Sequence, residues 1–127
     1  MEVVKKKWGE EIIICNNDLY AAKILAVERG AISSLHRHLR KDETFWCIGG
    51  GVSIEVEGRR TVLTGRFAPL FDEPLRVRPG QWHRFEAIHL GGNGSKSWLL
   101  EISTPHSDDD VERQTESQSA EERRCIS

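Results

Sequence analysis

Short apolar runs separated by turn-forming residues fill the first 104 residues of the sequence. Val52–Val56 alternates apolar and polar side chains with a period of two, which is typical of a half-buried β-strand. Glu57-Gly58-Arg59 then leads into Arg60–Leu63, so this pair predicts a β-hairpin. Other expected strands are Glu11–Asn16, Tyr20–Val27, Thr44–Ile48, Leu75–Val77, His83–Ala87 and Ser97–Ile102. Many short strands without a long helical period indicate an all-β sandwich or barrel.

The length of 127 residues fits one domain that can bury a core without staples. We expect residues 1–104 to form the barrel and residues 105–127 to form an acidic polar tail. Residues 108–124 hold seven acidic residues and three arginines, which favours a solvated segment. The tail is expected to pack partly against the body through residue 114 and to be mobile or weakly helical from residue 115 onwards.

Charge and hydropathy exclude several classes of partner. A net charge of −2 offers no basic field for nucleic acid. No run approaches the roughly 20 apolar residues that span a bilayer, and no apolar signal-peptide core follows Met1–Lys7. Three cysteines, Cys15, Cys47 and Cys125, form no close pair and argue against a disulfide framework. We therefore expect a cytoplasmic protein without nucleic-acid or membrane partners.

Three of the five histidines fall in two clusters with readable geometry. His36 and His38 are two residues apart, so a strand would point both rings to one face. Glu43 follows seven residues after His36, which allows a short turn and a return on the neighbouring strand. His83 follows a Pro-Gly turn at Pro79-Gly80. A barrel could bring these side chains together, and their nitrogen and oxygen donors suit Mn, Fe, Co, Ni or Zn. A His-x-His pair by itself is more often ordinary surface or core histidine.

The segment from Gly30 to Gly50 resembles the first motif of the cupin superfamily. That motif reads Gly, five residues, His-x-His, four residues, Glu, six residues and Gly, and every spacing is matched. Pro79-Gly80-Gln81-Trp82-His83 resembles the second motif, although Arg78 stands where the family usually has proline. The resemblance implies a double-stranded β-helix, or jelly-roll, barrel. It also implies one divalent metal ion (Mn, Fe, Zn or Ni), with His36, His38, Glu43 and His83 as its ligands.

Flanking segments resemble the cupin domain of type II mannose-6-phosphate isomerases and related sugar isomerases over about residues 4–113. They are Lys7-Trp8-Gly9-Glu10, Trp82-His83-Arg84-Phe85-Glu86, Leu100-Glu101-Ile102-Ser103 and Asp109-Asp110-Val111-Glu112-Arg113. Gln114-Thr115-Glu116-Ser117 departs from the family's Tyr-Gly-Arg ending, and no nucleotidyltransferase domain precedes the barrel in this sequence. The resemblance implies an aldose–ketose isomerase that acts on a sugar or sugar phosphate.

Four further residues are candidates for the site of such an isomerase, Glu101 by the resemblance and by its strand pattern and the others by their position in the sequence. Glu101, an acid in the apolar strand Trp98–Ile102, is the candidate catalytic base, or else an outward carboxylate on an edge strand. Arg113 could bind a substrate phosphate, or could neutralise surface aspartates. Lys23 could face the cavity or reach solvent. Trp82, next to His83, is expected to line the pocket. His89 and His106 lie outside both motifs.

Two other functions stay open from the sequence. An Fe(II) dioxygenase could use the same four ligands, and a non-catalytic cupin could bind a sugar or small acid, because a fold does not fix a function. We also expect a homodimer, since Glu11–Asn16 is an apolar candidate edge strand whose free edge would need covering.

Overall fold

The computed structural model describes residues 1–65, 73–88 and 94–126, without the side chains of residues 125 and 126. Within these ranges the chain forms ten β-strands, a 3₁₀ turn at Asp108–Asp110 and one short helix. The bounds are β1 Glu2–Lys6, β2 Gly9–Asn16, β3 Ala21–Glu28, β4 His36–His38, β5 Glu43–Val56, β6 Arg59–Gly65, β7 Leu75–Val77, β8 His83–Ile88, β9 Lys96–Ser103, β10 Val111–Arg113 and α1 Ala120–Ile126. The predicted all-β class is confirmed.

One long strand, β5, belongs to both sheets of the barrel. Its first half pairs with β9 and β7, and its second half pairs with β6 and β8, in every case antiparallel. The change occurs at Gly49–Gly50, directly after the register with β9 shifts between Cys47 and Gly49. Gly50 has a φ of +71°, and an added Cβ would lie 2.6 Å from Ser97 Oγ. A side chain would therefore be strained and crowded at the point where the strand changes sheet.

Both sheets bury one face against a shared apolar core. Burial alternates along β8 and β9, as the period of two requires. The core contains Trp8, Leu25, Val27, Phe45, Val52, Ile54, Leu63, Val77, Phe85 and Leu99. Trp8 and Phe85 pack edge to face with ring centroids 5.1 Å apart, which joins the β1–β2 turn to β8.

The expected edge strand at Glu11–Asn16 is an interior strand, so that prediction was wrong. β2 pairs with β3 on one side and with β1 on the other, from Glu2↔Ile13 to Lys6↔Gly9. β1 forms the edge instead. In its sequence EVVKK only Val4 is half-buried and the other four residues are exposed. Lysines suit an exposed edge because they oppose pairing with another chain.

The C-terminal segment lies along the strand that carries two of the histidines. β10 pairs with β4, with Val111 opposite His38 and Arg113 opposite His36. Farther along, Gln118 bridges to Ile32, and Arg123 Nη1 lies 2.6 Å from Glu86 Oε2. The boundary between a barrel at 1–104 and a tail at 105–127, and mobility beyond residue 115, stay predictions. Across the described ranges no helix is long and apolar enough to cross a membrane.

Candidate metal centre

Three histidines converge where β4 and β8 meet. His36 pairs directly with His83 across these antiparallel strands, and the two-residue spacing places His38 on the same face. Ring centroids lie 4.4 Å apart for His36 and His83, 5.2 Å for His36 and His38, and 5.8 Å for His38 and His83. One ring nitrogen of each histidine lies within 4.8 Å of the others. The three histidines could therefore hold a metal ion.

Glu43 approaches this cluster from the other sheet. Its Oε2 lies 3.1 Å from His83 Nε2, and its Oε1 lies 3.7 Å from His38 Nε2. We expected Glu43 to lie on the strand next to the one that carries His36 and His38. This was wrong, because that strand, β4, pairs with β8 and β10. Glu43 instead begins β5, pairs with Ser103 and Val77, and faces the histidines across the interior. The four side chains are thus brought together from both sheets.

Hydrogen bonds orient two of the rings. His36 Nδ1 lies 2.8 Å from the Ser34 carbonyl oxygen, and His83 Nδ1 lies 2.9 Å from that of Gln81. Because a carbonyl only accepts, each Nδ1 carries the proton, and each Nε2 keeps a lone pair. This backbone support of a histidine is the usual outer shell of a metal ligand.

Buried donor atoms without partners test whether a cation fits. Within the described residues, His38 Nδ1, Glu43 Oε2 and His83 Nε2 are buried and have no hydrogen-bond partner. His83 Nε2 and Glu43 Oε2 face each other at 3.1 Å as two acceptors, and such atoms need a proton or a cation between them. The donor set suits a divalent metal of the Mn, Fe, Ni or Zn group. The residues therefore fit a metal, and its identity stays open.

Protonation states at neutral pH also suit metal binding. Burial, with the neighbouring His83, lowers the pKa of His36 to about 3. Burial lowers the pKa of His38 to about 4, although the Glu43 charge opposes this effect. Burial raises the pKa of Glu43, but a hydrogen bond donated by His83 when its Nε2 carries the proton, together with the Lys41 ammonium, outweighs burial and lowers the value to about 2. Neutral rings and an ionised carboxylate are the forms that bind metal.

A cavity of about 170 Å³ opens beside the cluster. It is smaller than the roughly 300–1,000 Å³ of a site for a drug-sized molecule, so it suits a small ligand. His36, His38 and Glu43 line it, whereas His83 is 1% exposed and lies beneath the lining. Trp8 and Phe85 supply an apolar wall. The cavity offers a small ligand access to the histidines.

Glu101 points into this cavity and not outwards to solvent. It is 5% exposed, and its direct cross-strand neighbours are Lys23 and Phe45. Lys41 Nζ donates to its Oε2 at 3.0 Å. Burial and the Glu43 charge raise the pKa of Glu101, which makes its carboxylate a stronger base. Glu101 therefore has the position and the environment of an acid–base group.

Lys23 and Arg113 also line the cavity. Lys23 is 2% exposed and pairs with Glu11 at 3.1 Å, so its side chain does not reach solvent. Arg113 is an exposed residue opposite His36. Asp109 pairs with Arg40 at 3.1 Å. Among the described residues, Asp109 makes no ion pair with Arg113. Both basic residues are placed where a ligand could meet them.

Trp82 is not among the residues that line the cavity, so the expectation that it would line the pocket was wrong. It directly precedes His83, and successive side chains of an extended chain point to opposite faces. The Arg37 guanidinium lies 4.7 Å from the centroid of the Trp82 ring, on the outer side of the sheet. A substrate contact through Trp82 stays a prediction without support from this geometry.

Lys41 and His106 belong to the site although the sequence did not single them out. Lys41 is 3% exposed, and its Nζ lies 3.0 Å from Glu43 Oε1 and 3.2 Å from His106 Nδ1. Within the polar run RKDE a lysine is typical of an exposed turn, so no local signal indicates its burial. His89, which belongs to neither motif, lies outside the described residues.

No protein-family model matches the sequence. Among curated proteins, the chain is 29% identical over 101 residues to a mannose-1-phosphate guanylyltransferase of Sinorhizobium fredii. The match covers 78% of this chain and only 17% of that protein. The chain is therefore similar to a small part of a much longer protein.

Solved structures give the fold. KdgF from Halomonas sp. matches with a TM-score of 0.70 at 18% identity, over 86% of this chain and 90% of that one. An RmlC-like cupin from Shewanella frigidimarina matches with a TM-score of 0.67 at 18% identity, over 85% and 86%. The capsular polysaccharide assembling protein CapF from Staphylococcus aureus matches at 0.70 and 14%, over 90% of this chain and 34% of that one. The chain thus has the cupin fold, and the predicted double-stranded β-helix is confirmed.

Proposed function

We propose that this chain is a metal-dependent isomerase that interconverts the aldose and ketose forms of a sugar or sugar phosphate. One observation carries the proposal: Glu101, a buried carboxylate with a raised pKa, lines the same cavity as His36 and His38. Names of similar proteins support the substrate class, because one refers to mannose 1-phosphate and another to a capsular polysaccharide.

As the aldose becomes the ketose, the reaction moves one proton from C2 to C1 and a second proton from the C2 hydroxyl to the C1 carbonyl oxygen. A divalent metal held by His36, His38, Glu43 and His83 would supply Lewis-acid polarisation of the substrate carbonyl. Glu101 accepts the carbon-bound proton and returns it to the neighbouring carbon, which requires one carboxylate on the substrate face of the cavity. The apolar wall at Trp8 and Phe85 excludes water from the reacting atoms.

Arg113 is the residue that we propose for the substrate phosphate. It lies across from His36, and the described residues provide no ion-pair partner for its guanidinium. Lys23 is neutralised by Glu11, so it is better placed to donate a hydrogen bond to a sugar hydroxyl than to balance a phosphate charge. A planar guanidinium at the mouth suits a phosphate because it can bind two oxygens at once.

A decisive experiment measures exchange of the C2 proton of mannose 6-phosphate and fructose 6-phosphate in heavy water. The metal-loaded parent should exchange this proton and interconvert the two sugars. Glu101→Gln should reduce both rates about 10²–10⁴-fold, the usual contribution of a general base. Its metal content should stay at the parent level, because Glu101 is not a proposed ligand.

Other outcomes point to other functions. Bound iron with oxygen consumption would replace the isomerase by a dioxygenase. Sugar binding without exchange would indicate a non-catalytic cupin. One observation favours the non-catalytic cupin. Lys41 pairs with Glu101 and with Glu43 at 3.0 Å each and so neutralises part of the charge of the candidate base.

The homodimer also stays a proposal, now with a different surface. The register places Ile12, Ile24, Leu100 and Trp46 side by side across β2, β3, β9 and β5. They point away from the core, and Ile102 on the same face is 52% exposed. Such a flat apolar face fits a second copy of itself. Light scattering would give twice the chain mass for a dimer and the single-chain mass otherwise.

A further inference from the structure

Lys41 joins the candidate metal centre to the candidate catalytic base. Its Nζ lies 3.0 Å from Glu43 Oε1 and 3.0 Å from Glu101 Oε2. The lysine side chain is 2% exposed, and burial of an ammonium is costly unless carboxylates compensate it. Two carboxylates around one ammonium make the pairing favourable and fix all three groups.

The contact with Lys41 divides the two oxygens of Glu43 between different partners. Oε1 is held by the ammonium at 3.0 Å and lies farther, at 3.7 Å, from His38 Nε2, while Oε2 faces His83 Nε2 at 3.1 Å and has no hydrogen-bond partner in the described structure. A carboxylate restrained in this way offers a metal one oxygen. Without the ammonium it could rotate and offer both.

The main chain around Lys41 is itself fixed by the C-terminal segment. The buried Asp110 carboxylate accepts the backbone N–H groups of Leu39, Arg40 and Lys41, each at 3.0 Å. Three such bonds from one carboxylate fix the turn between β4 and β5. The ammonium is thus placed from two sides, by its own turn and by its carboxylate partners.

We infer that Lys41 is a positioning residue that restrains Glu43 to one-oxygen metal coordination and holds Glu101 at a fixed place beside it. This inference rests on the proposed function only in treating Glu101 as the base. Its metal part requires no substrate, and so it can fail or succeed independently of isomerase activity.

Cobalt binding tests the inference, because the visible spectrum of Co²⁺ changes with coordination number. Lys41→Met removes the ammonium at nearly constant volume. It should change the affinity for Co²⁺ about 10–100-fold, the scale on which outer-shell partners act, and should change the visible spectrum because Glu43 could then offer both oxygens. Lys23→Met is the matched control, because Lys23 is equally buried and pairs with Glu11 without contacting Glu43. Its cobalt affinity and spectrum should equal those of the parent.

A folded Lys41→Met protein with parent-like affinity and spectrum would overturn the inference, whatever the isomerase assay gives. A parent that binds no cobalt would overturn it as well. If Lys41→Met does not fold, Lys41→Arg and Lys41→Gln replace it. The arginine variant keeps the charge and should restore the parent spectrum, whereas the glutamine variant should not. Equal spectra for these two variants would also overturn the inference.

Discussion

The Asp110 carboxylate should be among the most important polar groups for stability, although it lies near the acidic end of the chain. It is 2% exposed and accepts three backbone N–H groups of the β4–β5 turn. In Asp110→Asn the charge is lost, and the new NH₂ group faces one or more of these donors. Hydrogen bonds to a charged group contribute about 1.5–3 kcal/mol each. Leu39 and Arg40 are exposed, so water can replace part of the loss there.

We therefore expect Asp110→Asn to lower the free energy of unfolding by about 2–4 kcal/mol, on the scale of one or two charge-assisted bonds. This is a large share of the roughly 5–15 kcal/mol that stabilises a typical domain. Urea denaturation of the metal-free protein measures the change directly. Removing the metal keeps ligand binding out of the comparison.

Asp109→Asn provides the matched control for this experiment. Its side chain is 79% exposed and pairs with Arg40 at the surface, where an ion pair contributes about 0–1 kcal/mol. The same chemical change at neighbouring positions should thus give very different results. A loss below about 1 kcal/mol for Asp110→Asn, or equal losses for both variants, would refute the reasoning from hydrogen bonds to a buried charge.

The remaining predictions concern the histidines. His38→Ala should abolish metal retention in elemental analysis. Arg37→Ala, one residue away on the opposite face, should keep the metal content of the parent. Metal retained by His38→Ala would show that His38 is not a ligand. Metal-free protein should lose thermal stability as pH falls from about 6.5 towards 4. In that window the unfolded chain binds protons at rings whose pKa values are lowered to about 3 at His36 and about 4 at His38 in the folded state. In a Glu101→Gln background, which removes the opposing proton uptake by a carboxyl group whose pKa burial raises, a melting temperature that stays constant or rises would contradict the lowered values.

The strands that the sequence predicted have a local signal, and those it missed have none. β6, β8 and β9 alternate apolar and polar residues or are bounded by glycine and proline, so period and punctuation indicate them. Thr44–Ile48 and Val52–Val56 were predicted as two strands, and the structure joins them into the single strand β5. β1 buries no side chain fully and β10 has three residues, so their pairing depends on distant partners. Nothing within these segments could have indicated it.

The site divides in the same way. The motif spacing indicated four side chains that the structure brings together, and the apolar strand around Glu101 left its direction open until the register with Lys23 placed it inside. Lys41 meets Glu101 across 60 residues of sequence and His106 across 65. Burial that depends on partners so far along the chain is not encoded in the neighbouring residues.

The shared strand β5 gives the metal centre a further property. Glu43 stands at one end of this strand, and Val56 at the other end pairs with His83. Slipping either half by one residue would move Glu43 by about 3.3 Å relative to the rings and turn its side chain to the opposite face. Misaligned folds would then lack the fourth donor, so an added metal ion would preferentially stabilise molecules whose two sheets are aligned correctly.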